Sequence, residues 1–68
     1  MNEDAFNMSI RKFLKTVGVN SQLAIEKAVR KAIEDGRLKG NESLPAHMTL
    51  TVGNLDLNVK FDGELRLE

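Results

Sequence analysis

The clearest periodicity in the chain lies between Thr49 and Phe61. Leu50 and Val52 alternate with Thr49 and Thr51, and Leu55, Leu57, Val59 and Phe61 alternate with Asp56, Asn58 and Lys60. Two period-2 runs around Gly53 and Asn54 predict a β-hairpin with a two-residue, II′-type turn. That turn sets Val52 opposite Leu55, Leu50 opposite Leu57 and Met48 opposite Val59, which gathers one apolar face. The strands are expected at about residues 46–52 and 55–61. Asp62 and Gly63 form a second turn signal, and Glu64–Glu68 alternates again, so a third strand is expected at about residues 64–67. A three-residue loop or bulge there places Leu65 opposite Phe61 and keeps a common face. A two-residue turn sends Leu65 and Leu67 to the other face, where they form a candidate dimer surface.

Upstream the period changes to that of a helix. Phe6, Ile10, Phe13, Leu14 and Val17 make one stripe, with Arg11, Lys12 and Lys15 on the opposite side. A first helix is expected at about residues 3–17, opened by Glu3 and Asp4 at the positive dipole end and closed by Gly18 as the C′ residue. Val19, Asn20 and Ser21 read as a short connection, with Asn20 or Ser21 as the next N-cap. A second helix is expected at about residues 21–35, with a stripe of Ile25, Ala28, Val29, Ala32 and Ile33, and Gly36 stopping it. Met8 and Leu23 lie off the stripes. The connector RLKGNESLP carries the Gly40-Asn41 turn signal and two leucine anchors, Leu38 and Leu44. The expected fold is α+β, in the order α-α-β-β-β: an αα-hairpin packed on one face of a three-stranded antiparallel meander. Phe13 and Phe61 are expected in its core.

Sixty-eight residues make one domain with a small core. There is no cysteine and a single histidine, so neither a disulfide nor a thiolate metal site is available. No cofactor or metal is expected. No apolar run approaches the ~20 residues of a membrane span, and MNEDAF lacks a signal-peptide core. A cytoplasmic protein without a membrane partner is expected. Net charge is zero but uneven: residues 11–39 hold eight Lys/Arg against three acids, and residues 41–68 hold two against five. Such a dipole can guide an anionic partner or head-to-tail self-association.

Two surfaces are candidate sites. Arg11, Lys12, Lys15, Lys27, Arg30 and Lys31 line the far faces of the two helices, and two helices with a β-hairpin resemble winged helix-turn-helix domains that meet phosphates with basic side chains. Glu26, Glu34 and Asp35 interrupt this patch, and no aromatic residue accompanies it. The other candidate is the surplus apolar set Met8, Leu23, Leu65 and Leu67, which suits self-association or a protein partner. His47 has Ser43 and Glu42 near it in sequence but no nucleophile elbow, so it reads as an exposed strand or loop residue. Asp56, Asp62, Glu64 and Glu68 do not converge on a metal or acid–base site. The glycines match no phosphate-cradling spacing.

Three segments, MNEDAFNMSIRKFLKTVGVNSQ, GRLKGNESLP and LTVGNLDLNVKFDGELRLE, resemble a family of short uncharacterised bacterial proteins, found mostly in proteobacteria. The resemblance covers nearly the full chain and implies the two-helix plus small-sheet fold, with no activity and no functional residue to carry over. Locally, AIEDGRLKGNESLP is similar to the stretch after the first helix of GntR-type winged-helix regulators. There the Leu-Pro leads into the DNA-reading helices, whereas here a strand follows, so the likeness is one of turn chemistry. The expected function is a non-enzymatic protein–protein interaction module, possible as a homodimer, with nucleic-acid binding through the basic helix faces as the alternative.

Overall fold

A computed structural model describes residues 1–68 and contains one helix and one hairpin: α1 (Glu3–Glu34), β1 (Ser43–Val52) and β2 (Leu57–Arg66). The chain divides into two compact units, Met1–Arg37 and Leu38–Glu68. The α+β class holds, but the α-α-β-β-β order does not.

The two expected helices are one helix of 32 residues, about 48 Å long. Asn2 caps it: its side-chain oxygen accepts from the Ala5 N–H at 3.0 Å, and its carbonyl accepts from the Phe6 N–H at 3.0 Å. Glu3 and Asp4 occupy the first turn, where their charge meets the positive end of the dipole. Gly18, Val19 and Asn20 are helical throughout, and Gly18 does not adopt the positive φ of a helix-ending residue. The physical reason is phase. Continued at helical pitch, the first stripe runs through Ser21, Ala24, Ile25, Ala28 and Ala32 on the same third of the circumference. Phe6, Val17 and Ala28 recur at eleven-residue spacing, as do Ile10, Ser21 and Ala32. A glycine within a helix costs about 1 kcal/mol against alanine, too little to stop a helix with well-phased residues on both sides. Asn20, read as a cap, instead donates its side-chain amide to the Thr16 carbonyl one turn back, at 2.9 Å.

Gly36 is where the helix stops. It takes φ +80°, its N–H donates to the Ile33 carbonyl at 3.1 Å, and the Arg37 N–H donates to the Ala32 carbonyl at 2.8 Å. These two bonds make a Schellman closure, which satisfies carbonyls the helix leaves free. Gly36→Ala is expected to cost about 1 kcal/mol through its left-handed backbone and to fray the last turn. An unchanged thermal melt by circular dichroism would contradict this.

The meander is likewise a simple hairpin. β1 and β2 pair antiparallel over ten residue pairs, from Val52 opposite Leu57 to Ser43 opposite Arg66. The connection is Gly53–Asp56, four residues rather than two. The Leu55 N–H bonds to the Val52 carbonyl at 3.3 Å, and Asn54, not Gly53, takes positive φ at 67°. That sign pattern is of a type II turn rather than type II′. The register is therefore two residues away from the expected one. Leu50 faces Val59, Met48 faces Phe61, and Leu55 is left in the turn, 62% exposed. A two-residue shift preserves the faces, and the cross-strand pairs decide the choice. The observed register sets His47 against Asp62 and Gly63 against Ala46; the expected one sets His47 against Lys60 and Phe61 against Ala46.

No turn forms at Asp62 and Gly63, so there is no third strand. Both residues pair within β2, whose alternation runs unbroken from Leu57 through Gly63 to Leu65. Going straight through adds five pairs to the ladder, from His47–Asp62 to Ser43–Arg66, because β1 begins at Ser43 rather than near Ala46. Leu65 lies opposite Leu44, not Phe61, and on the face shared by Leu50 and Phe61. Pro45 is tolerated because both strands of a two-stranded hairpin are edges.

Candidate functional site

Only Ala32 is buried in the chain. Within its own unit α1 is the only element, so nothing there covers its apolar stripe. Phe6, Ile10, Phe13, Leu14 and Ile25 on it are all exposed, with Phe13 at 52% and Leu14 at 55%. Val17 and Ser21 are half-buried along it. The expectation of Phe13 in a core is overturned, since a side chain half in water has no core around it. Large side chains crowd the N-terminal half of this stripe, and small ones (Ser21, Ala24, Ala28, Ala32) occupy the C-terminal half.

The hairpin has its own two-sided character. Leu44, Ala46, Met48, Leu50 and Val52 on β1 share a face with Leu57, Val59, Phe61 and Leu65 on β2. Leu44, Ala46, Leu50, Leu57 and Leu65 are half-buried, whereas Met48, Val52, Val59 and Phe61 are exposed, Phe61 at 56%. Phe61 too lies outside any core. Leu67 lies beyond β2 and donates its N–H to the Glu42 carbonyl at 3.0 Å. Met8 and Leu23 are exposed on the side of α1 away from the stripe. Of the four residues Met8, Leu23, Leu65 and Leu67, the first two lie in the helix unit and the last two in the hairpin unit.

The opposite hairpin face is polar. The Nδ1–H of His47 donates to Asp62 at 2.7 Å, and the Ser43 hydroxyl donates to the Glu64 carboxylate. The Asp62-Gly63 turn signal hides the His47–Asp62 pair in the sequence, and the alternation through Gly63 is the signal that reveals it. Serine, histidine and aspartate are present without a nucleophilic geometry. Ser43 and His47 are four residues apart on one strand, about 13 Å, and the Ser43 hydroxyl is engaged by Glu64. The His47 and Asp62 side chains are both largely in solvent. No group of three or more His, Asp or Glu side chains is placed to hold a metal ion, and no helix is long and apolar enough to cross a membrane.

Before β1, the Glu42 carboxylate gathers the backbone N–H groups of Lys39, Gly40 and Asn41 at 2.8, 2.9 and 3.2 Å. Gly40 takes φ +107° to close this loop. Donation to the charged form, from Lys39 first and Gly40 next, holds the Glu42 carboxyl below its ordinary pKa. The loop's added stability is therefore full above the ordinary glutamate pKa and is lost as pH falls through the lowered one. The amide resonances of Lys39 and Gly40 are expected to titrate together with this carboxyl, below the ordinary range. Glu42→Gln should abolish that titration, and its persistence would contradict the loop geometry.

The six cations of the candidate nucleic-acid surface lie on one helix rather than on two. Arg11, Lys12 and Lys15 are separated from Lys27, Arg30 and Lys31 by about 18 Å along its axis. The helix-turn-helix arrangement that made this surface resemble a winged helix is absent. Glu26 pairs with Arg30 at 3.8 Å and accepts from Gln22 at 3.0 Å, so an acid stands beside the second group. A shallow open depression lined by Lys27, Arg30, Lys31, Glu34 and Asp35 runs along the last turns of this helix and mixes both charges.

Over residues 1–68 the sequence matches the model of a family of unknown function (DUF6494). No curated protein and no solved structure matches the chain.

Proposed function

Since the chain belongs to this family of unknown function, its role is to be read from its own surfaces, and we propose that it is a non-enzymatic protein–protein interaction module. The observation that carries the reading is the uncovered stripe of α1. It holds three large aliphatic or aromatic side chains in a row at Ile10, Phe13 and Leu14, with Phe13 and Leu14 more than half exposed, on a single helix. Contiguous apolar surface of this kind is costly to leave in water and is a mark of interaction sites. Laying an amphipathic helix against a partner is a common recognition mode, anchored by residues at helical spacing. The hairpin's polar face supports the same reading from the other side, because its histidine, acids and serine satisfy one another across strands and converge on no reacting centre.

The test is the native mass of the tagged chain, both purified and in cell lysate. The reading expects the chain above monomer mass in at least one of the two, and expects Leu14→Glu to return it to monomer mass. A chain that runs as a monomer in both settings contradicts it.

A further inference from the structure

We infer that the occupant of the α1 stripe is a second copy of this chain, its helix lying antiparallel about a two-fold axis near Val19; this rests on the interaction-module reading above. Side-chain size favours this pairing. In an antiparallel pair centred there, Phe6 of one copy lies level with Ala32 of the other and Ile10 with Ala28. Phe13 and Leu14 meet Ala24 and Ile25, and Val17 meets Ser21. Nearly every level then sets a large side chain against a small one, and the two-fold repeats each match on the other side. The distance between helix axes follows the side chains at the contact, so such a pair keeps one spacing from end to end. A parallel pair in register sets Phe6 on Phe6 and Ala32 on Ala32, wide at one end and narrow at the other. A gap there forfeits contact energy.

Area is sufficient. From Phe6 to Ala32 the strip is about 39 Å long on a helix some 10–12 Å across, on the order of 400 Å² in flat projection. Interdigitated side chains raise that toward the roughly 800 Å² per partner of a standard stable interface. The eleven-residue recurrence keeps the strip facing its partner along that length with a slight right-handed supercoil.

The chain contains no cysteine, so introduced ones report the geometry without background. Ile10→Cys and Ala28→Cys chains, each full length, are purified, mixed in equal amounts and oxidised. In the antiparallel dimer the two cysteines face each other across the pair, whereas like cysteines lie about 27 Å apart along the axis, beyond any disulfide. The mixed disulfide is therefore expected to dominate, and each chain alone is expected to yield none. Homodisulfides from each chain alone, without the mixed product, would overturn the antiparallel arrangement. Sedimentation equilibrium of the wild-type chain guards against a substitution that merely weakens the pair, and twice the chain mass is expected. A purified monomer that still joins a different protein in lysate overturns self-pairing and leaves the module reading standing. A monomer in both settings that binds vesicles of anionic phospholipid overturns both.

Discussion

Val19→Pro is expected to cut α1 in two and to remove about 3 kcal/mol or more of helix stability. In an unbroken helix the Val19 N–H bonds to the Lys15 carbonyl. Proline deletes that donor and drives its ring against the same carbonyl. If residues 19–21 were a connection between two helices, as their composition suggests, proline there would cost little. Circular dichroism should show a large loss of helix signal and a lower melting temperature. Gly18→Ala is the complement. A Cβ at Gly18 meets nothing within 4 Å, so the substitution should stabilise the helix by about 1 kcal/mol, whereas alanine at a left-handed C′ position would destabilise it. The two variants moving together, both neutral or both destabilising, would contradict a continuous helix.

Phe13→Glu has the second largest expected effect, and it falls on association. Phe13 is 52% exposed in the single chain, so its loss opens no cavity and the hairpin should keep its structure. In an assembly that covers the stripe, the same ring becomes a central aromatic anchor. Substituting a charge there is expected to cost at least about 2 kcal/mol, roughly a thirty-fold weaker association. Lys12→Glu, on the far side of the helix, should leave association within a factor of about two. Equal loss from both substitutions would place the contact on the basic face instead and would revive nucleic-acid binding as a reading. Sedimentation at low and moderate salt, with and without a short DNA duplex, separates the two, since phosphate contacts weaken steeply with salt.

What the sequence disclosed, and what it hid, follows from how local each signal is. Glu3 and Asp4 at the helix start and Gly36 at its end act within one turn, and both could be read directly. So could the alternation of Leu50, Val52, Leu57, Val59 and Phe61, which assigns faces without regard to exact register. The errors came from treating turn-forming residues as sufficient. Gly18 followed by Asn20 looks like a stop, yet a helix ends only where continuing it misplaces the stripe, and Ser21, Ala24 and Ala28 remain in phase with Phe6 and Ile10. The small residues in that second half weakened the hydrophobic signal that would have shown this. Asp62 and Gly63 look like a turn, yet turning there forfeits the pairing of Leu44 with Leu65 and of Ser43 with Arg66. The His47–Asp62 pair was hidden for the same reason. The exposure of Met8 and Leu23 was legible, because both break the period of their own helix. That the stripe itself lies open was not legible, because periodicity identifies an apolar face and says nothing of what covers it.

The account rests on α1 being one unbroken helix that presents this stripe. Backbone chemical shifts of Gly18, Val19, Asn20 and Ser21 in the isotope-labelled full chain test that most directly. The account predicts helical carbon shifts at all four residues and slow amide exchange continuing from Val17 into Ile25. Left-handed shifts at Gly18 followed by coil values at Val19 and Asn20 would restore a two-helix hairpin and contradict the account.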